Sequence, residues 1–147
     1  VKRAFPDMFL HVANPGYVRG KKMEQDGVVD LGNLSHSEAM AHLQNSLALF
    51  YPNIVFPETF GLVMAEAEAW GCPVLTHPMG AANEVVQEKS GLIDCRNYVT
   101  IVETIRKWRD GARPQVCANP KFNIEEVAKS WTYLMMQISS SRSKSII

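Results

Sequence analysis

Two carboxylates, Glu58 and Glu66, stand with seven residues between them in the stretch PETFGLVMAEAEAWGCPVLT at residues 57–76. A carboxylate accepts hydrogen bonds from neutral hydroxyls and repels phosphate. A helix start between the two has the opposite chemistry. Its first-turn N–H groups, here those of Phe60, Gly61, Leu62 and Val63, are unpaired and lie at the positive end of the helix dipole, where phosphate or sugar-ester oxygens bind. A ligand with a diphosphate between two polyols, as in a nucleotide sugar, meets both demands.

The elements that must position these groups follow from local signals. Thr59 is the expected N-cap, and Gly61 allows a close turn into a helix beginning near Leu62. Gly71 suits the C′ position that ends it, and Pro73-Val74-Leu75 opens a strand. Short apolar runs predict strands at 8–13, 28–31, 47–51, 74–76 and 91–94, the first of them buried. Helical patterns fall between and after them, at 35–45, 62–70, 83–88, 98–109 and 124–138. Ser35 and Glu38 form a capping box for the first of these. The last is expected to turn Val127, Trp131, Leu134 and Met135 inward. Strands alternating with helices predict an α/β fold, an open parallel sheet flanked by helices, over residues 1–138. The SSSRSKSII end, 139–147, reads as a flexible tail. In such sheets ligands bind beyond the carboxyl ends of the strands. Asn14, Gly32 and Asn33, Pro52 with the 58–63 stretch, and the 77–84 loop all fall on that edge.

Lysine plus arginine and aspartate plus glutamate each number 15, so nothing favours a nucleic-acid partner. Cys72, Cys95 and Cys117 are odd in number and lack metal-ligand spacing. They read as free thiols of a cytoplasmic protein, Cys72 buried. No apolar run approaches the ~20 residues that span a bilayer. The first residue is valine, so a processed or excised piece is expected. Several tempting residues have plainer readings. His11 reads as a sheet histidine, and His36, His42 and Glu68 as surface residues. Arg19, Lys21 and Lys22 read as a solvated basic loop, with a grip on a diphosphate as the alternative.

The sequence Glu58-Thr59-Phe60-Gly61-Leu62, with Glu66-Ala67 and Gly71-Cys72-Pro73-Val74 following, resembles the Glu-x7-Glu signature of retaining glycosyltransferases of the GT-B type, the group-1 or family-4 class. Four further blocks stand in the family's order: Asp30-Leu31-Gly32-Asn33-Leu34, Leu49-Phe50-Tyr51-Pro52, Gly80-Ala81-Ala82-Asn83-Glu84-Val85-Val86 and Ser90-Gly91-Leu92-Ile93. The resemblance covers about residues 9–134 and is to the C-terminal, donor-binding domain alone.

That resemblance implies a Rossmann-like domain whose ligand is a nucleotide-diphosphate sugar, with a UDP-linked donor the commonest. Glu58 would hold donor-sugar hydroxyls and serve as the catalytic residue. The Thr59–Val63 turn, through the amides of Phe60, Gly61, Leu62 and Val63, would meet sugar and phosphate oxygens. Glu66 would take the ribose hydroxyls, and Gly32, Asn33 and Leu34 would lie against the base. Glu84 matches a third acidic position, or merely caps its loop. No metal or bound cofactor is implied. The reaction would be hexosyl transfer with retention, the donor phosphate taking the acceptor's proton.

The family's first strand and its diphosphate-neutralising arginine and lysine lie upstream of the matched region. The domain is therefore expected to lack a central strand between those at 8–13 and 47–51 and to be inactive alone. An N-terminal GT-B domain or a partner chain would complete it, and the open sheet edge would invite self-association. The alternatives are a non-catalytic α/β scaffold, such as a receiver-like module, or an epimerase or phosphorylase on the same framework. A receiver would place acidic residues where this chain has Asn14 and a lysine where it has His77.

Overall fold

The computed structural model describes residues 1–14 and 27–143. The basic stretch with Arg19, Lys21 and Lys22 lies outside the described residues. The architecture is α/β, with short parallel strand pairs flanked by helices, as a Rossmann-like domain requires. In chain order the elements are β1 (Leu10–Ala13), β2 (Val28–Gly32), α1 (His36–Gln44), β3 (Leu49–Tyr51), α2 (Leu62–Ala69), β4 (Val74–Thr76), α3 (Ala82–Val85), α4 (Tyr98–Lys107) and α5 (Ile124–Ser143).

Among the described residues four strands form two separate parallel pairs rather than one sheet, β1 with β2 and β3 with β4. The split falls between β1 and β3, where the resemblance leaves a central strand unaccounted for. The expected fifth strand at 91–94 is reduced to a single parallel bridge, Thr76 to Leu92, with the Ile93 amide bonding Thr76 O at 2.9 Å. A 3₁₀ turn at Lys89–Gly91 precedes it. Gly91 there packs so closely that a Cβ would sit 1.9 Å from Val74 O. Close packing of a turn leaves no length for a ladder.

The β3–β4 pair carries the core. Val74, Leu75 and Thr76 are all buried. One face packs on Met64, Ala67, Val85 and Val86, the other on Phe5, Ile101, Val102, Ile105 and Trp108. Both faces are covered, as a parallel strand demands. Strand β1 is the reverse. Leu10, His11 and Ala13 are exposed, which corrects the expectation of a buried strand. His11 meets His42 of α1 ring edge to ring face, with centroids 5.8 Å apart.

Helix α2 ends as its glycine requires. Gly71 sits at φ 74°, its amide bonding Glu68 O at 3.0 Å and that of Cys72 bonding Ala67 O at 2.8 Å, a Schellman motif. Arg113 locks this turn to the start of β3 by donating to the carbonyls of Ser46, Leu47 and Gly71. The capping box of α1 forms as read: Ser35 N–H donates to Glu38 Oε2 at 2.8 Å, and Glu38 N–H donates back to Ser35 Oγ at 3.4 Å.

Two readings of burial are overturned. Glu68 is 1% exposed rather than on the surface, and its carboxylate accepts from the backbone and side-chain N–H of Gln87, each at 3.1 Å. Helix α5 continues through Ser143 into the stretch read as a tail. The apolar positions Val127, Trp131, Leu134 and Met135 do not turn inward. They are exposed, because among the described elements the 3₁₀ turn at Pro120–Phe122 alone packs extensively on this helix.

Candidate functional site

Glu58 lies in the loop that leaves the carboxyl end of β3 and is set by the end of that strand and by the loop that leaves β4. The Tyr51 hydroxyl, on the last residue of β3, donates to Glu58 Oε1. The Ala81 amide donates to Glu58 O at 3.0 Å. Gly80 makes that approach possible. It lies at φ 58°, and a Cβ there would meet Glu58 O at 2.7 Å and Glu58 N at 2.9 Å. Thr76 Oγ1 donates to Tyr51 O at 2.7 Å, which ties the ends of the two strands together. Glu58 is half-buried, and its proximity holds the Tyr51 phenol above the ordinary tyrosine range, the hydrogen bond being the main cause and burial the second.

The turn into α2 differs from expectation. Gly61, not Thr59, is the N-cap, in the left-handed region at φ 77° and ψ 60°, and no side chain caps the helix. Thr59 stays exposed in the loop. Met64 N–H and Ala65 N–H both bond back to Gly61 O, at 2.9 and 3.4 Å, which leaves the amides of Leu62 and Val63 ahead of the first intrahelical bond. Phe60 packs edge-on against Phe122 with centroids 5.0 Å apart. The helix mouth thus offers free N–H groups beside a carboxylate.

Glu66 sits farther along α2 and faces α1, its Oε1 3.8 Å from His36 Nδ1. The loop before α1 is organised by Asn14. Its amide bonds Gly32 O at 2.7 Å, its Oδ1 accepts from Leu34 N–H at 2.9 Å, and Gly32 N–H is held by Asp30 Oδ1 at 2.8 Å. So Gly32 and Leu34, at the end of β2, are fixed through Asn14, at the end of β1. His36 then joins this loop to Glu66. Glu84 is exposed, in the first turn of α3. Its amide, but no described side-chain bond, ties it to Ala81.

The roles of Tyr51 and Gly80 in holding Glu58 were missed in the sequence. Both residues stood inside recognised blocks, but only the packing of the 77–84 loop on Glu58 gives them a partner. Burial, with the Asp94 carboxylate adding, pushes the Cys95 thiol up to about 11. Burial raises Cys72 as well, against the pull of Arg113. Among the described residues no group of three or more His, Cys, Asp or Glu is placed to hold a metal ion, and no helix is long and apolar enough to cross a membrane.

Short parallel strand pairs flanked by helices define a Rossmann-like α/β domain. The family model for glycosyl transferases of group 1 matches residues 20–127, and the chain belongs to that family. It is a glycosyltransferase domain. The matched span holds Glu58, Glu66 and the segment from Gly32 to Leu34, and is narrower at both ends than the resemblance read from the sequence. A search among curated proteins returned no match.

Proposed function

We propose that this domain binds the donor of a retaining hexosyl transfer, a nucleotide-diphosphate sugar, with a UDP-linked donor favoured. The observation that carries the reading is Glu58 fixed by Tyr51 beside the uncapped start of α2. Neutral hydroxyls need an acceptor, phosphate oxygens need N–H donors, and this one corner holds both. In this reading Glu58 orients the sugar hydroxyls and stabilises positive charge developing on the ring. The amides of Phe60, Gly61, Leu62 and Val63 meet sugar and phosphate oxygens. Glu66 takes the ribose hydroxyls, and Gly32, Asn33 and Leu34 line the base. The donor phosphate accepts the acceptor's proton, so neither a metal nor a resident cofactor has a role.

Lys89 and Arg113 are each bonded to backbone carbonyls, which leaves neither placed to neutralise a diphosphate. An N-terminal GT-B domain or a partner chain would supply that charge and the acceptor site, so the domain alone does not transfer sugar. The setting is cytoplasmic.

Calorimetric titration with UDP, GDP, ADP and their glucose conjugates tests the reading. Saturable binding of one nucleotide is expected, weakened about tenfold or more by Glu66→Ala, with Glu58→Ala weakening only the sugar conjugate. No binding to a folded chain would overturn it. Sugar transfer by the isolated chain would overturn the expectation of inactivity.

A further inference from the structure

We propose that Tyr51 is the positioning residue for Glu58, holding one carboxylate oxygen so that the other meets a ligand hydroxyl. This deepens, and rests on, the donor-binding reading above.

The phenol is placed by the strand, not by the loop it serves. Tyr51 pairs with Thr76 in the β3–β4 register, Thr76 Oγ1 bonds its carbonyl, and its ring packs against the buried cluster of Met64, Ala67 and Val74. Its hydroxyl therefore projects from a fixed point. Glu58, by contrast, sits in an irregular loop that has no ladder of its own. Its backbone is pinned by Ala81, and its carboxylate by Tyr51 through Oε1. A carboxylate has about four lone-pair sites on two oxygens. With Oε1 engaged, Oε2 is the oxygen left to accept from a sugar hydroxyl. A carboxylate already locked in its rotamer loses less entropy when the ligand arrives, so the hydroxyl of Tyr51 contributes to affinity without touching the ligand. The raised phenol agrees with this arrangement, since the proton stays on Tyr51 as the donor.

The test is a double-mutant cycle of Tyr51→Phe, Glu58→Ala and both together. Affinities are measured for the nucleoside diphosphate that the full chain binds and for its glucose conjugate. Tyr51→Phe is expected to weaken the conjugate about five- to tenfold and leave the bare diphosphate unchanged. In the Glu58→Ala background, where no acceptor is left for the phenol, it should have no further effect. Equal weakening of both ligands, or additive losses, would make Tyr51 a structural residue only and overturn the proposal.

A parallel cycle in urea separates this failure from failure of the donor reading. If neither ligand binds, the donor reading falls. The pairing is still decided: the unfolding midpoint should drop in Tyr51→Phe and drop no further in the double variant than in Glu58→Ala. Independent drops would show that the two side chains are not coupled.

Discussion

The two strand pairs are built from similar sequence and end in opposite states. Both are parallel and short. Yet β4 is buried throughout, while β1 exposes Leu10, His11 and Ala13. The difference is in what covers them. Helices α2 and α3 lie on one side of β3–β4, and α4 with the N-terminal Phe5 on the other. Strand β1 bonds only to β2 among the described strands. Burial in a parallel sheet is thus a property of neighbours, and the Glu58 carboxylate is anchored on the half that has them.

The largest effect that would sharpen this contrast is a pair of truncations. Leu75→Ala removes a fully buried side chain and should cost about 2–5 kcal/mol, through lost transfer energy and a residual cavity. Val12→Ala, on a half-buried position of β1, should cost less than about 1 kcal/mol. Urea unfolding of both variants measures the difference. Equal costs would mean that β1 is packed as firmly as β4, which would break the comparison.

The next effect tests the link between the buried pair and the site. In Gly80→Ala the new methyl meets the backbone of Glu58 and the Pro57 ring, at a left-handed φ as well. Gly111→Ala suffers the unfavourable φ of 107° but finds nothing within 4 Å. The backbone term alone is worth about 1–2 kcal/mol. Gly80→Ala should exceed that, whereas Gly111→Ala should not, again by urea unfolding. Donor affinity should fall only in Gly80→Ala, because the collision displaces Glu58.

These contrasts also mark how far the residues declare the fold. Local chemistry was legible. The capping box at Ser35 and Glu38, the Schellman stop at Gly71 and the strand Val74–Thr76 depend on residues a few positions apart. Glu58 and Glu66 were legible for the same reason, as a spacing along one helix start. What needed distant partners was not. Gly61 displaced Thr59 as the N-cap because a left-handed glycine at the bend points its carbonyl into the first turn. Glu68 carries the pattern of a solvated helix residue, but Gln87 arrives nineteen positions later to bond it. The apolar stripe of α5 has the periodicity of a core helix, and periodicity does not say whether the covering surface belongs to the same chain. Tyr51 and Glu58 stand seven residues apart, yet their contact depends on a loop, 52–57, whose path no local rule sets.

The smallest effect concerns the tether between the two halves. The segment before β1 crosses to the buried half, where Phe5 enters the core beneath the guanidinium groups of Arg106 and Arg109. Arg109 also makes a two-pronged pair with Asp7, Nη2 to Oδ2 at 2.6 Å and Nη1 to Oδ1 at 3.1 Å. That hydrogen bonding holds the Asp7 carboxyl below the ordinary aspartate value of 3.8. A depressed folded pKa means that the folded state binds the proton less readily than the unfolded chain. The pair's contribution is therefore complete above about 3.8, and it is lost as pH falls through the folded value beneath it. The pair is solvent-exposed and screened by salt, so its share of global stability is slight. Its local share is visible by amide exchange. The Met8 amide, which bonds Phe5 O at 3.1 Å, should lose protection relative to those of β4 as pH falls below about 4. In Asp7→Asn that acid-dependent loss should vanish, leaving a slightly weaker tether at every pH. If Met8 and β4 instead lost protection together, the two halves would open as one unit, and the contrast between them would hold only in burial and not in stability.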